Sequence, residues 1–195
     1  MYYNCRMENE NQKHEENIPE KKPGFLKETF RTIVITLAIV LPIRYFIAQP
    51  FIVSGASMDP TFANGQYLIV DQISYRFEEP KRDDVIIFKY PNDTSKYYIK
   101  RIIGLPGETI EIKGTTVTIH KGDKSFDLIE PYIQNNIPGN FLTTLKDDEY
   151  FVLGDNRPAS SDSRYWGPLN RKYIIGRPFV RLLPFEKIDM FPGRI

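Results

Sequence analysis

The chain has 195 residues, 41% of them hydrophobic, and a formal net charge of +1. That supports one domain with a real core, carrying at most a smaller insert, and argues against a nucleic-acid-binding protein, which usually shows a strong basic excess. The single cysteine, Cys5, leaves no disulfide framework and no cysteine metal cluster, and the two histidines, His14 and His120, would put any zinc site or Ser-His-Asp triad on His120 alone.

Residues 1–24 are polar and mixed in charge and read as a mobile tail. Pro23 and Gly24 close it, and a helix can begin near Phe25. From Thr32 an apolar run extends to Val53, interrupted by Pro42 and Arg44. A spanning helix needs about 20 such residues, so the run predicts a membrane anchor over 32–50, with a buried core helix as the alternative. Lys21, Lys22, Lys27 and Arg31 precede it, and after Arg44 the next basic residue is Arg76. The positive-inside rule then predicts a cytoplasmic tail over 1–31 and an extracytoplasmic domain over 51–195. Nine steps along the chain separate Ala48 from Ser57, a reach of about 30 Å when fully extended, so Ser57 is held near the outer membrane surface.

Beyond the anchor, short runs rich in β-branched and aromatic residues alternate with turn residues. Strands are predicted at 66–70, 84–90, 97–103, 150–153 and 174–180, with a hairpin of 109–112 and 116–119 about Lys113-Gly114. Residues 121–148 are looser and richer in charge, Pro and Asn, and read as a flap. The fold expected is mainly β: an N-terminal transmembrane helix, then an antiparallel sheet or partly closed barrel, with a small β insert over about 108–149.

Ser57 lies in Ser54-Gly55-Ala56-Ser57-Met58-Asp59-Pro60-Thr61. A serine on such a turn presents its hydroxyl and leaves nearby N–H groups free for an oxyanion, but the stretch alone reads equally as an ordinary loop. With histidine so scarce, the candidate base is Lys100. An ordinary lysine, pKa about 10.4, is protonated at neutral pH, and only burial would make it a base; by itself Lys100 also reads as a strand-edge lysine in water. A third stretch, 154–167, is dense in hydrogen-bonding side chains: Ser160 could orient an amine, and Asp162 could pair with Arg164.

Taken together, the anchor, SGASMDPT (54–61), YYIKRIIGLPGE (97–108) and GDNRPASSDSRYWG (154–167) stand in one order over residues 30 to 180. In this the chain closely resembles the bacterial type I signal peptidases, in the single-anchor Gram-positive form. The resemblance implies a membrane-bound serine endopeptidase that removes signal peptides from exported preproteins. It implies Ser57 as nucleophile, Lys100 as general base, Ser160 as support for the lysine, and Asp162 with Arg164 as scaffold. Where some members carry a serine two places before the nucleophile, this chain has Gly55, so the oxyanion falls to the backbone N–H of Ser57. Pro158 and Ala159 stand where many members are more polar.

By the same resemblance the substrate adds as a strand between the segments leading to Ser57 and to Lys100. Ile52, Val53, Met58, Phe62, Tyr98 and Ile99 then narrow its pockets to small residues. The partners implied are signal peptides and the lipid bilayer, with no nucleic acid, metal or cofactor, in a monomer at the plasma membrane. The rival readings are a Ser-Lys self-cleaving repressor and an anchored β domain that binds peptides without cutting them.

Overall fold

The computed structural model describes residues 24–42, 44 and 48–194. Most of the expected tail, with Cys5 and His14, lies outside the described residues.

Helix α1 (Phe25–Pro42) starts where Gly24 accepts the N–H groups of Lys27 and Glu28. It buries no residue of its own, and Ile33, Val34, Ile35, Leu37 and Ile39 are all exposed. No described helix is long and apolar enough to cross a membrane. Two features account for this in α1. Lys27, Glu28 and Arg31 occupy its first turns, and it stops at Pro42. The anchor expected over 32–50 is corrected at its end as well, since Ala48 already belongs to a strand.

The rest of the chain is antiparallel β. The larger sheet contains β1 (Ala48–Ile52), β2 (Tyr67–Asp71), β3 (Val85–Tyr90), β4 (Asp93–Gly104), β9 (Glu149–Leu153), β10 (Leu169–Asn170), β11 (Ile174–Leu183) and β12 (Asp189–Met190). Its order is β1-β2-β11-β3-β4-β9-β10, with β12 added on β11. The smaller sheet, in the order β7-β6-β5-β8, is built from β5 (Thr109–Gly114), β6 (Thr116–Lys121), β7 (Lys124–Asp127) and β8 (Gly139–Thr144). It falls within the 108–149 span expected for an insert. Two of its strands, β7 and β8, occupy the stretch expected to be a flap. A single helical turn, α2 (Ser163–Trp166), begins at the Asp162 side chain.

The residue types explain the strand patterns. β3 is buried along Val85-Ile86-Ile87-Phe88, as a strand covered on both faces must be, whereas β2 alternates between buried Leu68 and Val70 and half-exposed neighbours. Ile86, Phe88, Ile102, Tyr150 and Val152 form one core cluster of the large sheet. Ile103, Phe151 and Leu153 turn the other way and pack on Ile110, Ile112, Val117 and Ile119, which fastens the small sheet to the large one. Gly104 makes this contact possible: a Cβ there would lie 2.4 Å from Ile110 Cδ1.

The expected partly closed barrel is also corrected, because the strand order does not return on itself. Among the described residues β1 pairs only with β2, and β4 meets β9 only through Arg101, Ile102 and Gly104, on the side away from β3. The earlier residues of β4 therefore keep an unpaired edge among the described residues. The sheet curls until Phe51 of β1 and Tyr97 of β4 touch, ring centroids 5.2 Å apart. A groove is left where a barrel would have sealed.

Candidate active site

The groove, about 450 Å³, runs between β1 and β4. One end is formed by residues 54–57, and Lys100, Ala159 and Ser161 also face it. The loop that carries Ser57 is stapled by its own backbone. Val53 N–H donates to Gln66 O, Gly65 N–H to Val53 O, and Phe62 N–H to Met58 O. Gly55 adopts φ +94°, a left-handed conformation suited to glycine, and its N–H is taken by the Asn64 side chain at 2.9 Å. Met58 and Phe62 are buried with Val53, Leu68 and Val85, which pins the loop from beneath and leaves Ser57 at the surface of the groove.

Lys100 Nζ lies 2.7 Å from Ser57 Oγ and donates to Ile99 O at 2.9 Å. The lysine is only 4% exposed. Burial pushes its pKa down from 10.5 to about 8, against the opposing pull of the Asp162 and Asp155 charges. The amine stands over the Tyr98 ring at 5.3 Å. An amine of lowered pKa within hydrogen-bond reach of a hydroxyl is the geometry that general-base activation of a nucleophile requires.

The adjacent residue, Arg101, points to the other face of β4 and is 1% exposed. It remains paired: Nε and Nη2 fork onto Asp155 at 2.9 and 2.6 Å, and Nη1 donates to the carbonyls of Asp83 and Gly193. Thr61 also donates to Asp155, at 2.6 Å. Asp155 thus joins β4 to the serine loop, and Asn156 N–H completes the link by donating to Ser57 O at 3.0 Å. Gly154 allows that approach, since a Cβ there would lie 2.4 Å from Ser57 O. Sequence reading missed Arg101 and Asp155 as a pair; the signal was a second cation in an otherwise apolar strand.

Asp162, fully buried, caps α2 and binds Arg164 through both carboxylate oxygens at 2.8 Å. It also accepts the Gly154 N–H at 3.2 Å. Ser160 is buried against Gly154, but its hydroxyl has no hydrogen-bond partner among the described residues, so the bond expected between it and the amine is not made here. Of the expected pocket residues, Ile52, Val53, Tyr98 and Ile99 line the groove. Met58 and Phe62 do not; they point into the core beneath the loop, and Leu68 and Ile87 take their place in the groove. His120 lies on the small sheet, bonded to Ser125 and Glu111. Among the described residues no group of His, Cys, Asp and Glu could hold a metal ion.

The sequence profile of the family described as Signal peptidase, peptidase S26, matches residues 26–183. A signal peptidase I of Leptolyngbya laminosa is 38% identical over 84% of this chain and 82% of its own length. A signal peptidase I of Bacillus licheniformis is 35% identical over 86% and 94%. The crystal structure of a signal peptidase I from Enterococcus faecalis V583 is 34% identical and covers 51% of this chain and 97% of its own, with a TM-score of 0.45.

Removing Asp155 strands a buried guanidinium. Asp155→Ala is expected to lower the unfolding free energy by about 3–5 kcal/mol, read from chemical denaturation. A loss below about 1 kcal/mol would show that Arg101 and Asp155 do not hold the loop.

Proposed function

Since the chain belongs to the signal peptidase family, peptidase S26, we propose that it removes signal peptides from exported preproteins with Ser57 as nucleophile and Lys100 as general base. The observation that carries this is the buried Lys100 amine 2.7 Å from the Ser57 hydroxyl.

The substrate enters the groove as an extended strand. It pairs with the open edges of β1 and of β4 before Arg101, and its side chains meet Ile52, Val53, Tyr98 and Ile99 over a floor of Leu68 and Ile87. This narrow apolar lining favours small residues before the cleaved bond. Neutral Lys100 takes the proton of Ser57 as Oγ attacks the scissile carbonyl. The oxyanion falls to the Ser57 N–H. The ammonium then protonates the leaving amine, giving an acyl-enzyme, and the neutral amine next activates the water that releases the signal peptide. Asp162 and Arg164 hold the 154–164 segment beside the dyad, and the Ser160 hydroxyl, buried and without a hydrogen-bond partner among the described residues, is free to support the amine.

Association with the plasma membrane follows from α1, whose side chains from Ile33 to Leu41 face outward with nothing of the helix buried. A bilayer is the covering that such a surface calls for. By the positive-inside rule, Lys27 and Arg31 favour the cytoplasmic side for the N-terminal end of the chain.

Purified Ser57→Ala and Lys100→Ala should each fold yet fail to cleave a preprotein in detergent. Activity retained in either would refute the dyad. Below pH 8 the amine is protonated and cannot serve as base. The cleavage rate should therefore rise with pH through about 8, falling about tenfold per pH unit well below that. A flat profile between pH 5 and 9 would contradict a lysine base. In cell fractions the protein should remain with membranes through an alkaline wash and be released by detergent. Recovery in the soluble fraction would remove the anchor and favour the repressor-like alternative.

A further inference from the structure

The segment between β7 and β8 reaches out of the small sheet to the two arginines that fix the 154–157 loop. Glu130 accepts a hydrogen bond from Arg157 Nη2, and both side chains are buried, with 8% and 3% exposure. Tyr132 donates its hydroxyl to Glu130 at 3.0 Å and lays its ring on the Arg101 guanidinium at 4.0 Å. Arg157 in turn donates from Nε to Gly154 O at 3.0 Å, and its own carbonyl accepts from Arg164 at 2.8 Å. Arg101 holds Asp155. Gly154, Asp155 and Asn156 are the residues that touch the serine loop, through close packing on Ser57 O, the Thr61 hydroxyl and the Asn156–Ser57 bond.

We propose that Glu130 and Tyr132 are positioning residues for the cleavage reaction, so that the small sheet sets the placement of the nucleophile and its base through Arg157 and Arg101. This rests on the reading of Ser57 and Lys100 as the dyad. The physical reasoning is that a guanidinium as deeply buried as Arg157 needs an acceptor for its outer N–H groups; without one at position 130 it turns towards solvent and takes the Gly154 carbonyl with it. The loop that closes over Lys100 then loosens and water reaches the amine. Asp155 and Asp162 move with the same loop, and their withdrawal works the other way, but the burial that they oppose is the larger influence on Lys100. The amine then keeps its proton to higher pH, and the hydroxyl is no longer held in line with it.

The test is the pH dependence of kcat for preprotein cleavage in detergent, for wild type, Ser57→Ala, Glu130→Ala, Glu130→Gln and Tyr132→Leu. Glu130→Ala should lower kcat roughly 10- to 100-fold at pH 8, raise the midpoint of the kcat profile by about one pH unit, and leave KM within about threefold. Glu130→Gln, which keeps an acceptor for Arg157 and Tyr132, should recover most of the loss. A purely structural contact would lower the melting temperature and leave kcat of the folded fraction and the midpoint unchanged. Should Glu130→Ala not fold, Tyr132→Leu keeps the apolar bulk and carries the same expectation in smaller degree. A folded Glu130→Ala, or failing that a folded Tyr132→Leu, with the wild-type kcat and midpoint overturns the proposal. Wild type that does not cleave, or Ser57→Ala that does, overturns instead the dyad reading on which it stands.

Discussion

Two cations sit side by side on one strand, and the fold treats them in opposite ways. Lys100 and Arg101 face opposite sides of β4, both almost wholly out of water. Arg101 is met by Asp155 with a matched fork, and the carbonyls of Asp83 and Gly193 accept from its remaining nitrogen. Among the described residues Lys100 has no carboxylate in an ion pair with it, and burial loosens its hold on the proton. The sign of the resulting pH effect is definite. The unfolded lysine binds its proton more tightly than the folded one, so between about 8 and 10.5 stability rises with pH, and below 8 the penalty of burying the cation is present in full. That penalty is on the order of 3 kcal/mol. The paired arginine, the Thr61–Asp155 bond and the capped Asp162 are the interactions around it that offset such a burden.

The same strand links fold and groove. Arg101 is paired with β3 on one side and β9 on the other, and Ile102 and Gly104 continue along β9, whereas Lys100 is paired with Ile86 of β3 alone. Its N-terminal half has a partner on one side only. The change occurs within a residue of Lys100, so the proposed base stands at the boundary between closed sheet and open edge. A peptide laid along that edge ends its strand pairing beside the amine.

Much of this was legible in the sequence because it is local. Runs such as Val85-Ile86-Ile87-Phe88 can only be strands, and the helix start at Phe25 follows from Pro23-Gly24. Ser57 was visible as a serine between Gly55 and Pro60, and Asp162 with Arg164 as neighbours in one loop. What escaped depends on distance along the chain or on direction in space. Arg101 and Asp155 are 54 residues apart. Met58 and Phe62 were expected in the groove because they flank the serine, but in a loop there is no alternation to say which way a side chain turns, and these two turn inward. Between the two arrangements expected, an antiparallel sheet or a partly closed barrel, the sequence could not choose the open sheet for a related reason: the pattern of strands does not reveal which edges remain unpaired. The family profile and the relatives support the identity of the protein, while these geometric details come from the fold alone.

The unsealed seam between β1 and β4 bears on how the groove could be blocked. Its rims offer peptide groups, and a point substitution changes side chains without removing a main-chain N–H or C=O. An extended inhibitor that draws its affinity from those rims would meet a surface that mutation can reshape only by introducing proline or by distorting the strand itself. Compounds that depend instead on the floor at Leu68 and Ile87 would face the ordinary routes to resistance.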